Sequence, residues 1–127
     1  MRSSLGDITS ENGMLMELQS SCRDGTQIVT VRAARIDSAV AIRFKDALRA
    51  QTADGPGRVV LDLGEVDFVD SSGLGAIVAA MKHLGPGRRL DLAALRPNVD
   101  KVFRLTRMDT VFGIFPDVDA AIAREAG

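Results

Sequence analysis

The residue types best suited to chemistry in this chain fall in one run, Asp70-Ser71-Ser72-Gly73. The run follows an apolar stretch, Val59-Val60-Leu61-Asp62-Leu63, that reads as a buried strand. It also opens a helical pattern, because Leu74, Ile77, Val78 and Met81 recur at i, i+3, i+4 and i+7 and mark one apolar face. Asp70 then stands at the N-cap, where its carboxylate accepts from backbone N–H groups of the first turn. Ser71 and Ser72 fall in that turn. Unpaired N–H groups and the positive end of the helix dipole gather there and stabilise an anion. A phosphate is the obvious anion for such a place. Two uses of the serines stay open on these grounds: plain helix capping, which Ser and Asp perform commonly, or carriage of a phosphate.

Nucleophilic catalysis does not fit the same residues. An esterase-type elbow needs glycine two residues either side of the serine, but Val69 precedes Ser71 and Asp70 precedes Ser72 at that spacing. The only histidine is His83. On one helix running from Ser72 it stands roughly 16 Å away, whereas a base must lie within about 3 Å of its proton. Gly73-Leu74-Gly75 is followed by Val78 where a dinucleotide loop needs its third glycine, and no Gly-x-x-x-x-Gly-Lys-Ser/Thr phosphate loop occurs. Capping and surface solvation explain Asp62, Asp67 and Asp70 more simply than a metal cluster does. The single Cys22 and single His83 give no zinc site, and Cys22 has no intrachain disulfide partner. The expectation is a protein that is not an enzyme, with no catalytic residue, metal or cofactor.

The elements that must position the Asp70 run follow from periodicity. With 127 residues, the chain has room for one modest core. Residues 1–13 are polar and aperiodic and read as a loose arm, leaving a single domain over 14–127. Met14, Met16 and Leu18 alternate with polar or outward positions and suggest a first strand. The segment from Ser20 carries a turn signal at Asp24-Gly25, and a second strand runs from about Thr26 to Ala33. Asp37 or Ser38 can cap a first helix with the stripe Val40, Phe44, Ala47 and Leu48. Asp54-Gly55-Pro56-Gly57 and Gly85-Pro86-Gly87 break the chain on either side of the Val59 strand and the Asp70 helix. Leu90, Leu92 and Leu95 mark another strand. Pro97 suits a helix N1 position, with Val99, Val102, Phe103 and Thr106 as its buried stripe. A short strand from Val111 to Phe115 and a last helix from Pro116-Asp117, with Val118, Ala121 and Ile122 inward, complete the order. This β-β-α-β-α-β-α-β-α order predicts an α/β fold: a mixed, mostly parallel sheet with an N-terminal β-hairpin and about four helices.

Charge and composition narrow the partners. A net charge of -1 gives no strong pull toward nucleic acid or an anionic membrane. With no Trp or Tyr, Phe alone supplies aromatic surface, a poor basis for stacking bases. No run approaches the ~20 apolar residues of a membrane span, and the N-terminus lacks an apolar signal core. A cytoplasmic location, with no nucleic-acid or membrane partner, is expected.

The segment from Val59 to Gly75, with Val60-Leu61-Asp62-Leu63 and then Val66-Asp67-Phe68-Val69-Asp70-Ser71-Ser72-Gly73-Leu74-Gly75, resembles the signature of the STAS domain. That module is shared by sulfate transporters and anti-sigma-factor antagonists. Arg35-Ile36-Asp37, Pro97-Asn98-Val99 to Phe103, and Phe112 to Ile122 extend the likeness from about Met14 to the end. It departs where Ala34 and Arg107 stand at positions that are often glycine, which puts the geometry of those two loops in question. In the antagonists, the second serine of Asp-Ser-Ser-Gly is phosphorylated by the partner kinase, and that residue is Ser72 here. The resemblance implies a stand-alone anti-sigma-factor antagonist. It would bind an anti-sigma-factor serine kinase, a histidine-kinase-like ATPase, when unphosphorylated. Phosphorylation of Ser72 would switch it off, and a PP2C-type phosphatase would reset it. The implied docking surface is Asp37, Asp70, Ser71, Ser72, Gly73 and Leu74. The alternative is a non-phosphorylated STAS subunit of a transporter or signalling assembly, contacting an ATPase or scaffold, with Ser72 only a cap.

Overall fold

A computed structural model describes residues 17–126. The arm expected over 1–13, and Met14 and Met16 of the expected first strand, lie outside the described residues. Strands β1 (Leu18–Arg23) and β2 (Thr26–Val31) form an antiparallel hairpin. Its two-residue turn is Asp24-Gly25, with φ of 53° and 79°, the left-handed pair that a tight hairpin turn requires. A short β3 (Arg35–Ile36) leads to α1 (Ala41–Thr52), then β4 (Arg58–Asp62), a short β5 (Phe68–Val69) and α2 (Ser71–Leu84). The chain continues through β6 (Arg89–Ala93), α3 (Pro97–Leu105), a 3-10 turn at Met108–Thr110, β7 (Ile114–Phe115) and α4 (Val118–Ala126). The main sheet has the order β1-β2-β4-β6-β7, and every pairing after the hairpin is parallel. The expected mixed sheet with a leading hairpin and four helices is what the chain forms.

Side-chain alternation divides the sheet into two faces. Val29, Val31, Val59, Leu61, Leu90 and Leu92 bury one face together with Phe44 and Leu48 of α1, Ile77 of α2, and Val99 and Phe103 of α3. Phe103 and Phe112 meet edge to face there, with ring centroids 6.1 Å apart. The opposite face is a smaller cluster of Val60, Ala93 and Ala121 with Phe115 and Val118 packed on it, so α4 alone covers it. On that side Arg58 and Asp91 form a buried ion pair, Nη2 to Oδ2 at 2.6 Å. Arg58 Nη1 also donates to the carbonyl of Ala121 at 2.9 Å, which fastens α4 to the sheet.

Several elements differ from their sequence reading. β1 runs on to Arg23 through Ser20, Ser21 and Cys22, because pairing with β2 holds this exposed edge although it shows no apolar alternation. β6 ends at Ala93, before Leu95, and β7 begins at Ile114, with the 3-10 turn and exposed Val111 ahead of it. Thr106 is exposed rather than part of the α3 stripe, and its hydroxyl donates to the Val102 carbonyl at 2.7 Å. Neither Asp37 nor Ser38 caps α1: the N-cap is Val40, with no side-chain cap. The expected core of Leu61, Leu63, Phe44, Leu48, Ile77 and Phe103 is fully buried. Leu74 and Val78 are half-buried against that core, and Val102 is half-buried outside it.

Two short strands were not expected. β3 and β5 pair in parallel as a separate ribbon, Arg35 opposite Phe68 and Ile36 opposite Val69. This ribbon carries the starts of α1 and α2 to the same place.

Candidate functional site

The site grows from the end of β5. Asp70 is extended, with φ of -98° and ψ of -173°, the backbone of an N-cap. Its Oδ1 accepts from the Gly73 N–H at 2.9 Å, as expected of the cap. Its Oδ2 accepts from the Ser38 N–H at 3.2 Å. One carboxylate therefore ties the start of α2 to the turn that precedes α1. The Asp70 N–H donates to the Ile36 carbonyl at 3.3 Å, closing the arrangement against β3.

Gly73 is what lets α2 come so close. A Cβ there would stand 1.9 Å from the carbonyl oxygen of Ile36 and 3.0 Å from its Cγ2. Gly73 is buried and Leu74 is half-buried against the core, so of the six residues implied as a docking surface these two face inward. Ser71 and Ser72 are exposed, and Asp37 and Asp70 are half-buried beside them.

Asp37 organises its own turn instead of capping α1. Its Oδ1 accepts from the Ala39 N–H at 3.1 Å, and its Oδ2 pairs with Arg35 Nε at 3.0 Å. The Arg35 hydrogen bond is the main reason the Asp37 carboxyl is held below its ordinary range, with the Ala39 N–H assisting against a desolvation that works the other way. Arg35 also lies over the Phe68 ring, 4.3 Å from its centroid, a cation–π contact. Phe68 is 40% exposed and was missed as a surface residue. The signal was present: Phe68 and Val69 are adjacent on a strand, so only one of them can face the core.

Beside the serines lies a groove of about 330 Å³ between α1 and α2. Ser38, Ala41, Ile42 and Lys45 line one wall, and Ser72, Gly75, Ala76 and Ala79 line the other. Ile42 stands at the rim, 70% exposed. Sequence reasoning also missed this groove, although Ser72, Gly75, Ala76 and Ala79 follow the i, i+3, i+4, i+7 spacing of one helix face. Small side chains on that face leave the space open. Ser72 lines the groove and Ser71 does not, which separates two neighbours that the sequence presents as equivalent.

The other candidate groups are dispersed. Asp62 Oδ1 accepts from the Gly64 N–H at 2.9 Å, and Asp67 pairs with Arg96 at 3.0 Å, so the three carboxylates serve three separate contacts. No group of three or more His, Cys, Asp or Glu that could hold a metal occurs among the described residues. His83 lies in the last turn of α2, at the far end from Ser72. Cys22 is exposed on the edge strand. Among the described residues, no helix is long and apolar enough to cross a membrane.

The fold and the site define a small α/β domain whose distinctive surface is the start of α2 beside the groove. The STAS domain family model matches residues 17–121, and the chain belongs to that family. The putative anti-sigma factor antagonist BtrV of Bordetella bronchiseptica is 33% identical over 109 residues, covering 85% of this chain and 93% of that protein. The crystal structure of an anti-sigma factor antagonist from Mycobacterium paratuberculosis matches with a TM-score of 0.78 at 28% identity, over 91% of this chain and 97% of that one. The anti-sigma factor antagonist SpoIIAA in its unphosphorylated form matches with a TM-score of 0.69 at 20% identity, over 89% and 97% of the two chains. At that identity the likeness concerns the fold alone.

Proposed function

We propose that this chain is a cytoplasmic anti-sigma-factor antagonist without enzymatic activity of its own. It acts by partner switching. Unphosphorylated, it docks on an anti-sigma-factor serine kinase of the histidine-kinase-like ATPase type, and the kinase releases its client. Phosphorylation of Ser72 ends the docking, and a PP2C-type phosphatase restores it. The observation that carries this reading is the position of Ser72: exposed in the first turn of α2, beside the Asp70 cap and at the edge of the groove. The names of the relatives support the antagonist role.

The chemistry asks little of this chain. The Ser72 oxygen forms a bond to the γ-phosphorus of ATP, the bond from that phosphorus to ADP breaks, and the hydroxyl proton leaves to a base of the kinase. The product carries about -1.5 to -2 charge and three acceptor oxygens. The helix terminus tolerates that charge in the isolated domain, whereas a contact packed against Ser72 meets bulk, desolvation cost and repulsion from partner carboxylates. The switch therefore works by lost complementarity, with the fold unchanged.

The test uses purified kinase of this class with ATP. Mass spectrometry of the treated chain is expected to place phosphate on Ser72. Ser72→Ala is expected to fold, bind the kinase and resist modification. Ser72→Asp is expected to fold, with the added charge favourable by ~0.3–1 kcal/mol at the helix start, yet to bind the kinase poorly. Phosphate on Ser71 alone, or full binding by Ser72→Asp, refutes the assignment. A chain that binds but is inert to the kinase is instead a constitutive subunit.

A further inference from the structure

The groove between α1 and α2 begins at Ser72 and contains one charged side chain, Lys45. Lys45 has no ion-pair partner among the described residues. It lies one turn beyond Ala41 on the wall facing α2. Helical side chains lean toward the N-terminus of their own helix. For Lys45 that is the end of α1 held to the start of α2 by the Ser38–Asp70 hydrogen bond. Lys45 and Ser72 thus line one groove, on facing walls.

We propose that a phosphoryl group on Ser72 folds into this groove and pairs with Lys45, so that the modified chain occupies its own docking surface. The proposal rests on the reading above that Ser72 is the modified residue. The groove, of about 330 Å³, is open to solvent between small side chains, so a phosphoryl group on Ser72 meets space there rather than packed side chains. The charges around it favour this direction. Asp70 and Asp37 stand at the mouth, committed to the Gly73 and Ser38 N–H groups and to Arg35. Their charge opposes part of the attraction that the helix start exerts on a phosphate. Among the described residues that line the groove, Lys45 is the one counter-charge. Phosphorylation then does more than add repulsion. It places a dianionic group in the groove and neutralises the cation that lines it.

The test introduces phosphoserine at position 72 during translation, which makes it independent of any kinase. The second ionisation of the phosphate is followed by phosphorus NMR in the parent, in Lys45→Gln and in Lys45→Arg. The Lys45→Gln midpoint is expected to rise by about 0.2–0.7 pH units above the parent, the effect of one exposed ion pair. Lys45→Arg is expected to stay near the parent, and the difference to shrink at 1 M salt. The methyl resonances of Ile42, at the groove rim, and of Ala79, about two turns along α2 from Ser72, are expected to shift on phosphorylation of the parent. Equal midpoints in the parent and Lys45→Gln, or unmoved Ile42 and Ala79 methyls, overturn the proposal and leave the kinase reading standing. A kinase that ignores Ser72 sinks that reading and leaves this titration as it is.

Discussion

Replacing Gly73 by alanine puts a methyl carbon 1.9 Å from the Ile36 carbonyl oxygen and 2.8 Å from the carbonyl carbon. Ordinary contact begins near 3.4 Å, so α2 or β3 must withdraw by about 1.5 Å. The obstacle is backbone and has no rotamer to escape through. Overpacking of this kind costs about 1–3 kcal/mol. The withdrawal also weakens the Asp70 N–H to Ile36 and Ser38 N–H to Asp70 bonds, each worth about 0.5–1.5 kcal/mol. Against this, alanine gains about 1 kcal/mol of helix propensity over glycine. The net expectation is a loss of about 2–3 kcal/mol. At Gly75, two residues on in the same helix, a Cβ would meet nothing within 4 Å, and Gly75→Ala is expected to stabilise by about 1 kcal/mol. Urea denaturation reads both. At about 1–3 kcal/mol per molar, Gly73→Ala lowers the midpoint by about 1 M or more and Gly75→Ala raises it by a few tenths. If both midpoints rise, propensity alone governs the start of α2, and the tight contact with Ile36 is refuted.

Two other substitutions test the same region and its neighbour. Asp70→Ala removes both the cap on Gly73 and the tie to Ser38, with an expected loss of about 1–2 kcal/mol. Asp70→Asn keeps one acceptor oxygen for one of the two N–H groups and is expected to fall between parent and Ala in denaturation midpoint; equality of Ala with parent contradicts the cap. Arg107 holds φ of 64°, a conformation that costs a non-glycine residue roughly 1–2 kcal/mol, partly offset by the greater freedom of glycine in the unfolded chain. Arg107→Gly is therefore expected to raise the thermal midpoint by a few degrees, and a lower midpoint refutes the strain.

The parts legible in the sequence are those with a long local period. The stripe of Leu74, Ile77, Val78 and Met81 announces α2, and the run Val59 to Leu63 announces β4, because burial dictates each residue type in turn. The Asp70 cap was legible because capping is local chemistry. The ribbon of β3 and β5 was not, since two-residue strands have no period and exist only by pairing Arg35-Ile36 with Phe68-Val69 across more than thirty residues. Asp37 looked like a cap for α1, but competing partners, Arg35 and the Ala39 N–H, took its oxygens. Ala34 and Arg107 looked like equal departures from glycine. Ala34 is absent from the positive-φ residues and bears no strain, whereas Arg107 is among them. The groove was written in the spacing of small residues, which have no hydrophobic signal to draw notice.

The clasp of Arg58 on Asp91 and on the Ala121 carbonyl gives the two sides of the sheet unequal characters. One side is sealed by large apolar side chains from three helices, and the other by a short helix over small residues and an ion pair. When α4 lifts, what meets water is a guanidinium, a carboxylate and a small apolar patch of Val60, Ala93 and the Phe115 ring. Water solvates the first two well, and the third is far smaller than the core on the other face. Opening at the back is thus a local event that leaves the larger core closed. The helices α1 and α2 pack on the other side of the sheet. The domain can open at its rear without unpacking the face on which Asp70 and Ser72 stand.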